Sequence, residues 1–333
     1  MRRNSYALAA LTAASVPGLT PERTVPIATP EEDVDVAGII ASDGRRVTIT
    51  CPATPAAGLH LEKDVHLADA LAGTELAPLV PAILGFAPVP EGGRAVVAEV
   101  PRGVPLMFDV LAERAEVARS LGTVLARIHS LPRFMAEGAG AEEFTAATIR
   151  AEHVTRMRRL RDADELPDPV AQRWTMLLGD PQLWTFEPVF VHGSLSEENL
   201  FRDHEEISAV LGWSDARIAD PASDLAWLVS TLDPEQFDAL FAAYSATLTT
   251  PPHPRLLERA QLVGEFAVAQ WLLHGLEVGD QVIIDEGRGM LEDLSADIAQ
   301  TARDEAEQEY EALDGRRAQP VRRAPTEDDP DPA

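Results

Sequence analysis

The chain has 333 residues, too many for a single small module and suited to one large domain or two lobes that share an interface. With 45% hydrophobic and 25% charged residues, it is neither fibrous nor disordered as a whole. The 28 Lys and Arg residues against 55 Asp and Glu residues give a net charge of −27, which repels nucleic acid and anionic membrane surfaces, so neither is expected as a partner.

The N-terminal segment predicts a short helix of the fold. Arg2 and Arg3 precede a stretch from Tyr6 to Val16 that is mostly Ala, Thr and Ser, too weakly apolar for a convincing export signal. No later stretch approaches the run of about 20 apolar residues that a membrane-spanning helix requires. We therefore expect a cytoplasmic protein. The one cysteine, Cys51, excludes an intrachain disulfide and is expected to be a buried strand residue.

Residues 1–101 are predicted to form a small lobe rich in β-structure. Alternating residues from Val34 to Pro52 are interrupted by Ser42-Asp43-Gly44, which predicts a hairpin. Further along, the sequence predicts a helix over 59–72 and strands over 80–85 and 95–100.

Residues 102–313 are predicted to form a larger, helical lobe. Helical spacing of apolar residues predicts helices over 108–131, 141–162, 167–180, 234–248, 254–277 and 280–312. Between them, short strands at 188–192 and 207–211 flank a polar loop. From residue 314 to 333 apolar residues nearly vanish, which predicts a disordered tail.

The polar loop and its flanks carry the most informative motif. Val191-His192-Gly193-Ser194 is followed by Asn199, then by Leu211-Gly212-Trp213 and by Asp220-Pro221-Ala222-Ser223-Asp224. These blocks, at this spacing, resemble the aminoglycoside and macrolide phosphotransferases. The resemblance implies an α+β, bilobal, protein-kinase-like fold with a small β-rich N-terminal lobe, a large helical C-terminal lobe and a catalytic-type loop over 191–213.

The resemblance assigns a task to each motif position. Family members usually read His-Gly-Asp, then Asn, then Ile-Asp-Trp. The first Asp accepts or orients the acceptor hydroxyl, and the Asn and second Asp hold the magnesium that bridges the nucleotide phosphates. A basic residue in the strand after the hairpin anchors the phosphates, and the backbone at the lobe junction, here Glu99 and Val100, contacts the base.

This sequence departs from the family at the chemical positions. Ser194 replaces the catalytic Asp, Gly212 replaces the magnesium Asp, and Thr50 stands where we place the basic strand residue. Of the chemical groups only Asn199 remains, and one amide is too few ligands for magnesium. His192, Trp213, Asp220 and Asp224 remain as residues that support the loop.

The sequence therefore predicts a catalytically degenerate, pseudokinase-like protein with a binding or regulatory role. No cofactor is expected, and the partner is a small molecule, a metal-free nucleotide or an unknown protein. The alternative is an active kinase of small-molecule alcohols that uses Mg-ATP or Mg-GTP and a displaced carboxylate. Glu198 and Asp215 are the candidate replacement metal ligands, with Glu197 and Asp203 nearby in the sequence.

Overall fold

A computed structural model describes residues 3–27, 33–90, 92–138 and 140–317. The chain divides into two compact units. The first comprises the described residues of Met1–Val154 and Asp180–Ala267, and the second those of Thr155–Gly179 and Val268–Ala333. The sequence-based division at residue 101 falls inside the first unit and stays a prediction.

The first unit contains an antiparallel sheet of five strands in the order β1-β2-β3-β5-β4. The strands are β1 Pro21–Pro26, β2 Val34–Ala41, β3 Arg46–Pro52, β4 Ile83–Pro88 and β5 Arg94–Glu99. The predicted hairpin is confirmed as β2 and β3, and Gly44 in its turn has a φ of 86°, a conformation that favours glycine. Strand β1 was not predicted. It lies at the sheet edge, where prolines at its two ends are tolerated although they have no N–H to donate to a neighbouring strand.

The N-terminal helix α1, Ser5–Ser15, confirms the prediction for this segment. Its Leu8 packs into an apolar cluster with Ile39, Ile49 and Val97 of the sheet. Cys51 belongs to the same cluster and is fully buried, as predicted. One face of the sheet is thereby closed by α1. Because side chains alternate along a strand, Thr48 and Thr50 lie on the other face.

Helix α2, Pro55–Leu71, follows β3. Thr54 caps it by accepting a hydrogen bond from the Ala57 N–H at 3.1 Å, and Pro55 occupies the first turn, so the helix begins four residues before the predicted start. Leu67 and Leu71 at its C-terminal end join the core of the helical part. Helix α2 therefore joins the sheet to that core.

The rest of the first unit is mostly helical. Its remaining elements are β6 Val104–Pro105, α3 Phe108–Glu113, α4 Ala115–His129, α5 Arg133–Gly138, β7 Val189–Val191, β8 Leu200–Asp203, β9 Glu206–Val210, β10 Arg217–Ala219, α8 Ala222–Thr231 and α9 Pro234–Thr247, with parts of α6 Ala146–Asp162 and α10 Leu256–Val278. Short 3-10 turns lie at Ala77–Leu79, Pro181–Trp184, Glu197–Asn199 and Trp213–Asp215.

Two helix predictions need correction. The helix expected over 108–131 is broken at Arg114, whose backbone is extended (φ −121°, ψ 101°). Leu111 and Val117 on either side are fully buried in one core, so the apolar spacing continues across the break. The helix expected from residue 141 begins at Ala146. Before it, the Phe144 N–H donates to the Ile218 carbonyl at 2.8 Å, which holds that segment extended beside β10.

The second unit contains α7, Asp168–Gly179, and α11, Gln281–Arg317, with the other parts of α6 and α10. Within it the Arg288 guanidinium binds Glu165, with an Nε to Oε2 distance of 2.8 Å. Helix α11 extends four residues into the predicted tail, and residues 318–333 lie outside the described part. Among the described helices none is long and apolar enough to cross a membrane.

Candidate functional site

The motif blocks are brought together by two short strand pairs. Strands β7 and β10 pair antiparallel, with Val191 opposite Arg217, so the residues after β7 lie beside those before β10. Strands β8 and β9 form a hairpin with Leu200 opposite Val210. Just outside this hairpin, the Leu211 N–H donates to the Asn199 carbonyl at 2.8 Å. This places Asn199 next to Gly212.

Gly212 and Asn199 are in direct contact. A Cβ atom built on Gly212 would lie 3.2 Å from Asn199 Oδ1, 3.3 Å from Cγ and 3.4 Å from Nδ2, and these are the three heavy atoms nearest to it. Gly212 has a φ of 75° and a ψ of 50°. The space where the missing magnesium ligand would begin is therefore bordered by an amide and not by a carboxylate.

Asn199 donates two hydrogen bonds within the loop. Its Nδ2 donates to the Ser194 carbonyl oxygen at 2.9 Å, and its own N–H donates to the Ser196 carbonyl at 3.2 Å. Ser194 is exposed and offers a neutral hydroxyl. The side chain of Asn199 thus connects the backbone at Ser194 with Gly212, the two positions where the sequence lacks an acid.

The candidate replacement carboxylates are exposed or paired elsewhere. Glu198 is exposed on the 3-10 turn, and Asp215 is exposed after Gly212. Asp203 binds the Arg102 guanidinium, with an Nε to Oδ2 distance of 2.8 Å. Across the described residues, no three His, Cys, Asp or Glu side chains are grouped so that they could hold a metal ion. At the motif positions themselves, Ser194, Asn199 and Gly212 offer a magnesium ion one amide oxygen, one neutral hydroxyl and no carboxylate.

Asp224 supports the loop from below. Its carboxylate is fully buried and accepts the His192 N–H at 2.7 Å and the Gly193 N–H at 2.8 Å. His129 Nε2 lies 3.2 Å from it. Burial alone would raise the pKa of Asp224, but the His129 hydrogen bond, the nearby His192 and the Gly193 N–H hold it below its ordinary value. Asp224 is therefore a buried, charged carboxylate that holds the backbone at the start of the loop.

His192 is the buried side chain at the end of β7. Its Nε2 donates to the Leu211 carbonyl at 2.8 Å, while its Nδ1 has no hydrogen-bond partner in the described part of the chain. Burial lowers the pKa of His192 below its ordinary value, and Asp224 opposes this only in part. The neutral ring connects the segment after β7 with the segment after β9.

The other predicted supports also lie in the interior. Trp213 is buried and its Nε1 donates to the Val210 carbonyl at 3.0 Å. Asp220 forms a buried ion pair with Arg259, with an Nε to Oδ2 distance of 2.7 Å, and the guanidinium carbon lies 4.1 Å from the centre of the Phe186 ring. Sequence reasoning missed Arg259, because it lies far along the chain with no motif around it.

The sheet places an arginine, Arg94 of β5, on the same face as Thr50. Thr50 pairs with Val96 of β5, so both lie on the face opposite α1. Two residues before Val96 on that face, Arg94 makes two bonds to Glu62 of α2, at 2.8 and 2.5 Å. The hydrogen bonds from Arg94 lower the pKa of Glu62 despite its partial burial. Glu99 and Val100 are exposed at the end of β5.

Comparison with known proteins agrees with this architecture. The sequence model of the phosphotransferase enzyme family, APH, matches residues 39–261. In Bacillus subtilis (strain 168) the uncharacterized protein YcbJ is 24% identical over 110 residues, which are 33% of this chain and 36% of YcbJ. The match therefore spans about a third of that relative.

Solved structures of this family share the fold. The apoenzyme of the macrolide 2'-phosphotransferase MphH from Brachybacterium faecium is 25% identical, with a TM-score of 0.71 over 86% of this chain and 97% of that one. The GDP complex of aminoglycoside 2'-phosphotransferase-IIIa is 17% identical, with a TM-score of 0.72 over 89% and 99%. The predicted α+β, kinase-like fold is confirmed, and the chain belongs to the phosphotransferase enzyme family.

Proposed function

We propose that this chain is a catalytically degenerate member of its family, which binds a ligand and does not transfer phosphate. The observation that carries the proposal is the lack of an acid at both positions beside Asn199, since Ser194 offers a neutral hydroxyl and Gly212 has no side chain. Asn199 Nδ2 donates to the Ser194 carbonyl, so Asn199 Oδ1 and the Ser194 hydroxyl are the side-chain oxygens that these three positions offer to a metal.

Two groups that phosphoryl transfer needs are missing, a general base and a magnesium ligand. A positioned general base contributes about 10²- to 10⁴-fold to a rate, and Ser194 has no charge with which to accept a proton. Magnesium takes about six oxygen ligands in strict geometry, and Asn199 offers at most one. Losing both groups removes most of the stabilisation that phosphoryl transfer requires.

An active kinase with a displaced carboxylate is the competing function. Glu198 or Asp215 would then hold the metal. Against this, both carboxylates are exposed, and a misplacement of about 1 Å can cost 100-fold in rate. The binding role is the better supported of the two.

The proposed ligand is a nucleotide or another small molecule of the cytoplasm. Among the structural neighbours, aminoglycoside phosphotransferases form complexes with GDP and kanamycin and with ATP and streptomycin. In this chain we propose that a purine base contacts the backbone at Glu99 and Val100, with Thr50 facing the same side of the sheet as the phosphates. Neither contact uses a metal.

Thermal unfolding with ATP or GTP, with and without magnesium, tests the proposal. A ligand at 100 times its Kd adds about 2.7 kcal/mol, which raises the Tm of a protein of this size by at least a few degrees. We expect a small shift, or none, that magnesium does not enlarge. A large shift with Mg-ATP that disappears on adding EDTA would overturn the proposal. Glu198→Gln and Asp215→Asn would then identify the replacement ligand.

A further inference from the structure

A small cavity of about 50 Å³ lies between α2 and the segment from Ser214 to Arg217. The loop before α6 closes it through Gly140, Ala141 and Glu142. None of the positions in the degenerate centre, Ser194, Asn199 and Gly212, lines this cavity. It lies in the first unit on the α2 side of the Trp213–Asp215 turn, and Asp215, a candidate replacement metal ligand, is part of its lining.

Two cations line the cavity. One is Lys63 of α2, the only lysine of the chain, and the other is Arg217 of β10. In the part of the chain that the structure describes, neither forms an ion pair with a carboxylate. Other arginines of the first unit do, as the part-exposed Arg94 with Glu62 and the buried Arg259 with Asp220 show. Two cations without carboxylate partners at one cavity stand out in a protein of charge −27.

The guanidinium of Arg217 is held in place. Its Nη1 donates to the Asp215 carbonyl at 3.1 Å and lies 2.9 Å from where a Cβ on Gly193 would be. The guanidinium carbon is 6.0 Å from the centre of the Phe144 ring. Of the five N–H groups of the side chain only one is used in these contacts, so the others remain available for a ligand.

We propose that this cavity binds a small oxyanion, either free phosphate or sulfate or the phosphate group of a small phosphorylated molecule. Lys63 and Arg217 supply the charge and the Ser214 hydroxyl supplies a further donor. The volume is several times the about 10–15 Å³ that one water needs. The carboxylates of Asp215 and Glu142 also line the cavity, and they are exposed, as Lys63 is. Neither forms an ion pair within 4.0 Å with Lys63 or Arg217 in the described part of the chain, but both weaken anion binding.

A bound anion would connect α2 with the turn after Gly212. These elements already touch, since Asp64 Oδ1 accepts the Trp213 N–H at 2.6 Å. Lys63 is the neighbour of Asp64 on α2, and Arg217 follows the turn. The anion would therefore add a second connection between these elements beside the first.

Thermal unfolding at constant ionic strength tests the site, with sodium phosphate or sulfate replacing sodium chloride. Well above the Kd we expect phosphate to raise the Tm by about 2 °C. Lys63→Gln and Arg217→Gln should each weaken binding about ten-fold or more, because each removes a charged hydrogen-bond donor. Arg119→Gln, on the exposed face of α4, is the matched control and should keep the wild-type shift.

Glu142→Gln distinguishes an anion site from a merely structural role of the two cations. Removing this negative charge should tighten phosphate binding about two- to five-fold. Tighter binding of glycerol 3-phosphate than of inorganic phosphate would assign the site to a phosphorylated molecule, and equal binding to the free ion. An equal Tm in phosphate and chloride would overturn the proposal, as would an unchanged shift in Lys63→Gln. Lys63 is exposed, so that variant carries the test even where Arg217→Gln does not fold.

Discussion

Asn199 stands between two positions that carry no acid. In the family that this chain resembles, the Asn holds magnesium, and here its Nδ2 donates to the Ser194 carbonyl while its Oδ1 borders Gly212. Gly212 has a left-handed backbone, with a φ of 75°. An L-residue in this conformation costs about 1–2 kcal/mol, although Asp and Asn tolerate it better than most. The backbone at Gly212 is therefore one that an aspartate could also adopt.

Asp224 of α8 is expected to be the residue near the loop on which stability depends most. Asp224→Ala leaves two backbone N–H groups and His129 without their buried acceptor. We expect a loss of about 3–5 kcal/mol in the free energy of unfolding, measured by urea denaturation. Asp238→Ala, an exposed aspartate of α9, serves as the control and should change stability by less than about 0.5 kcal/mol. Equal losses in the two variants would contradict this role.

Stability should fall as the pH falls below about 6.5, the pKa of an unfolded histidine. Burial lowers the pKa of His192, so in that range the unfolded state binds more protons than the folded state. One such group contributes a slope of up to about 1.4 kcal/mol per pH unit, which is lost as the pH drops toward the folded pKa. The lowered pKa of His253 acts in the same direction.

His192→Gln isolates the contribution of His192, because glutamine can still donate to the Leu211 carbonyl but does not titrate. Urea denaturation between pH 7 and pH 5, at intervals through the window set by an ordinary histidine pKa of about 6.5, should give a shallower slope for the variant. Identical slopes would show that folding does not shift the pKa of His192, and would contradict this prediction.

Helix α2 is held by side-chain hydrogen bonds to two neighbouring elements, β5 and the Trp213–Asp215 turn. Glu62 binds Arg94 of β5, and Asp64 accepts the Trp213 N–H of the turn after Gly212. Sequence reasoning looked for a cation at Thr50 on β3, because the resemblance places it there. An arginine, Arg94, lies on the adjacent strand, and only the strand register shows that it shares a face with Thr50.

The contact between α4 and α9 depends on a glycine. A Cβ on Gly122 of α4 would collide with the Leu240 carbonyl oxygen of α9. Gly122→Ala should therefore destabilise the protein by about 1–3 kcal/mol, although alanine is the better helix former. Gly264→Ala in α10 is the control, since its Cβ would meet nothing nearer than 3.5 Å and should stabilise by up to about 1 kcal/mol. Urea denaturation of both variants measures the difference, and opposite signs are expected.

The elements show which signals the sequence carried. The β2–β3 hairpin was predictable because alternation and an Asp-Gly turn are both local. The break at Arg114 was not, because Leu111 and Val117 enter the same core and keep the helical spacing. In the site, the missing acids at Ser194 and Gly212 followed from the resemblance to the phosphotransferases. The hydrogen bond from Asn199 to the Ser194 carbonyl, and the pairing of Arg259 with Asp220, required the tertiary structure.

For the whole molecule, charge decides which ligands are favoured. A net charge of −27 opposes a metal-free nucleotide, so whatever anion binds must find locally concentrated positive charge. The cavity of Lys63 and Arg217 offers such a place. Binding there should be weak and should decline with added salt, because exposed charges are screened over about 10 Å at 0.1 M.

Restoring both acids tests whether only the chemical groups were lost. Ser194→Asp combined with Gly212→Asp should bind magnesium in the presence of ATP, seen as a Tm shift that EDTA removes. The double variant should lose about 1–2 kcal/mol of stability, because the aspartate introduced in place of Gly212 would adopt a left-handed backbone and press on the Asn199 amide. A folded variant whose Tm does not change with magnesium would mean that Thr50 or a closed cleft also prevents binding of Mg-ATP.

Transfer of labelled γ-phosphate from ATP or GTP to a panel of aminoglycosides and macrolides decides whether the protein is an enzyme of this kind. We expect the wild-type protein to give no product above a heat-denatured sample, because neither Ser194 nor Gly212 supplies an acid. Magnesium-dependent phosphorylation of any acceptor, abolished by Asn199→Ala, would show an active site and overturn the proposed loss of catalysis.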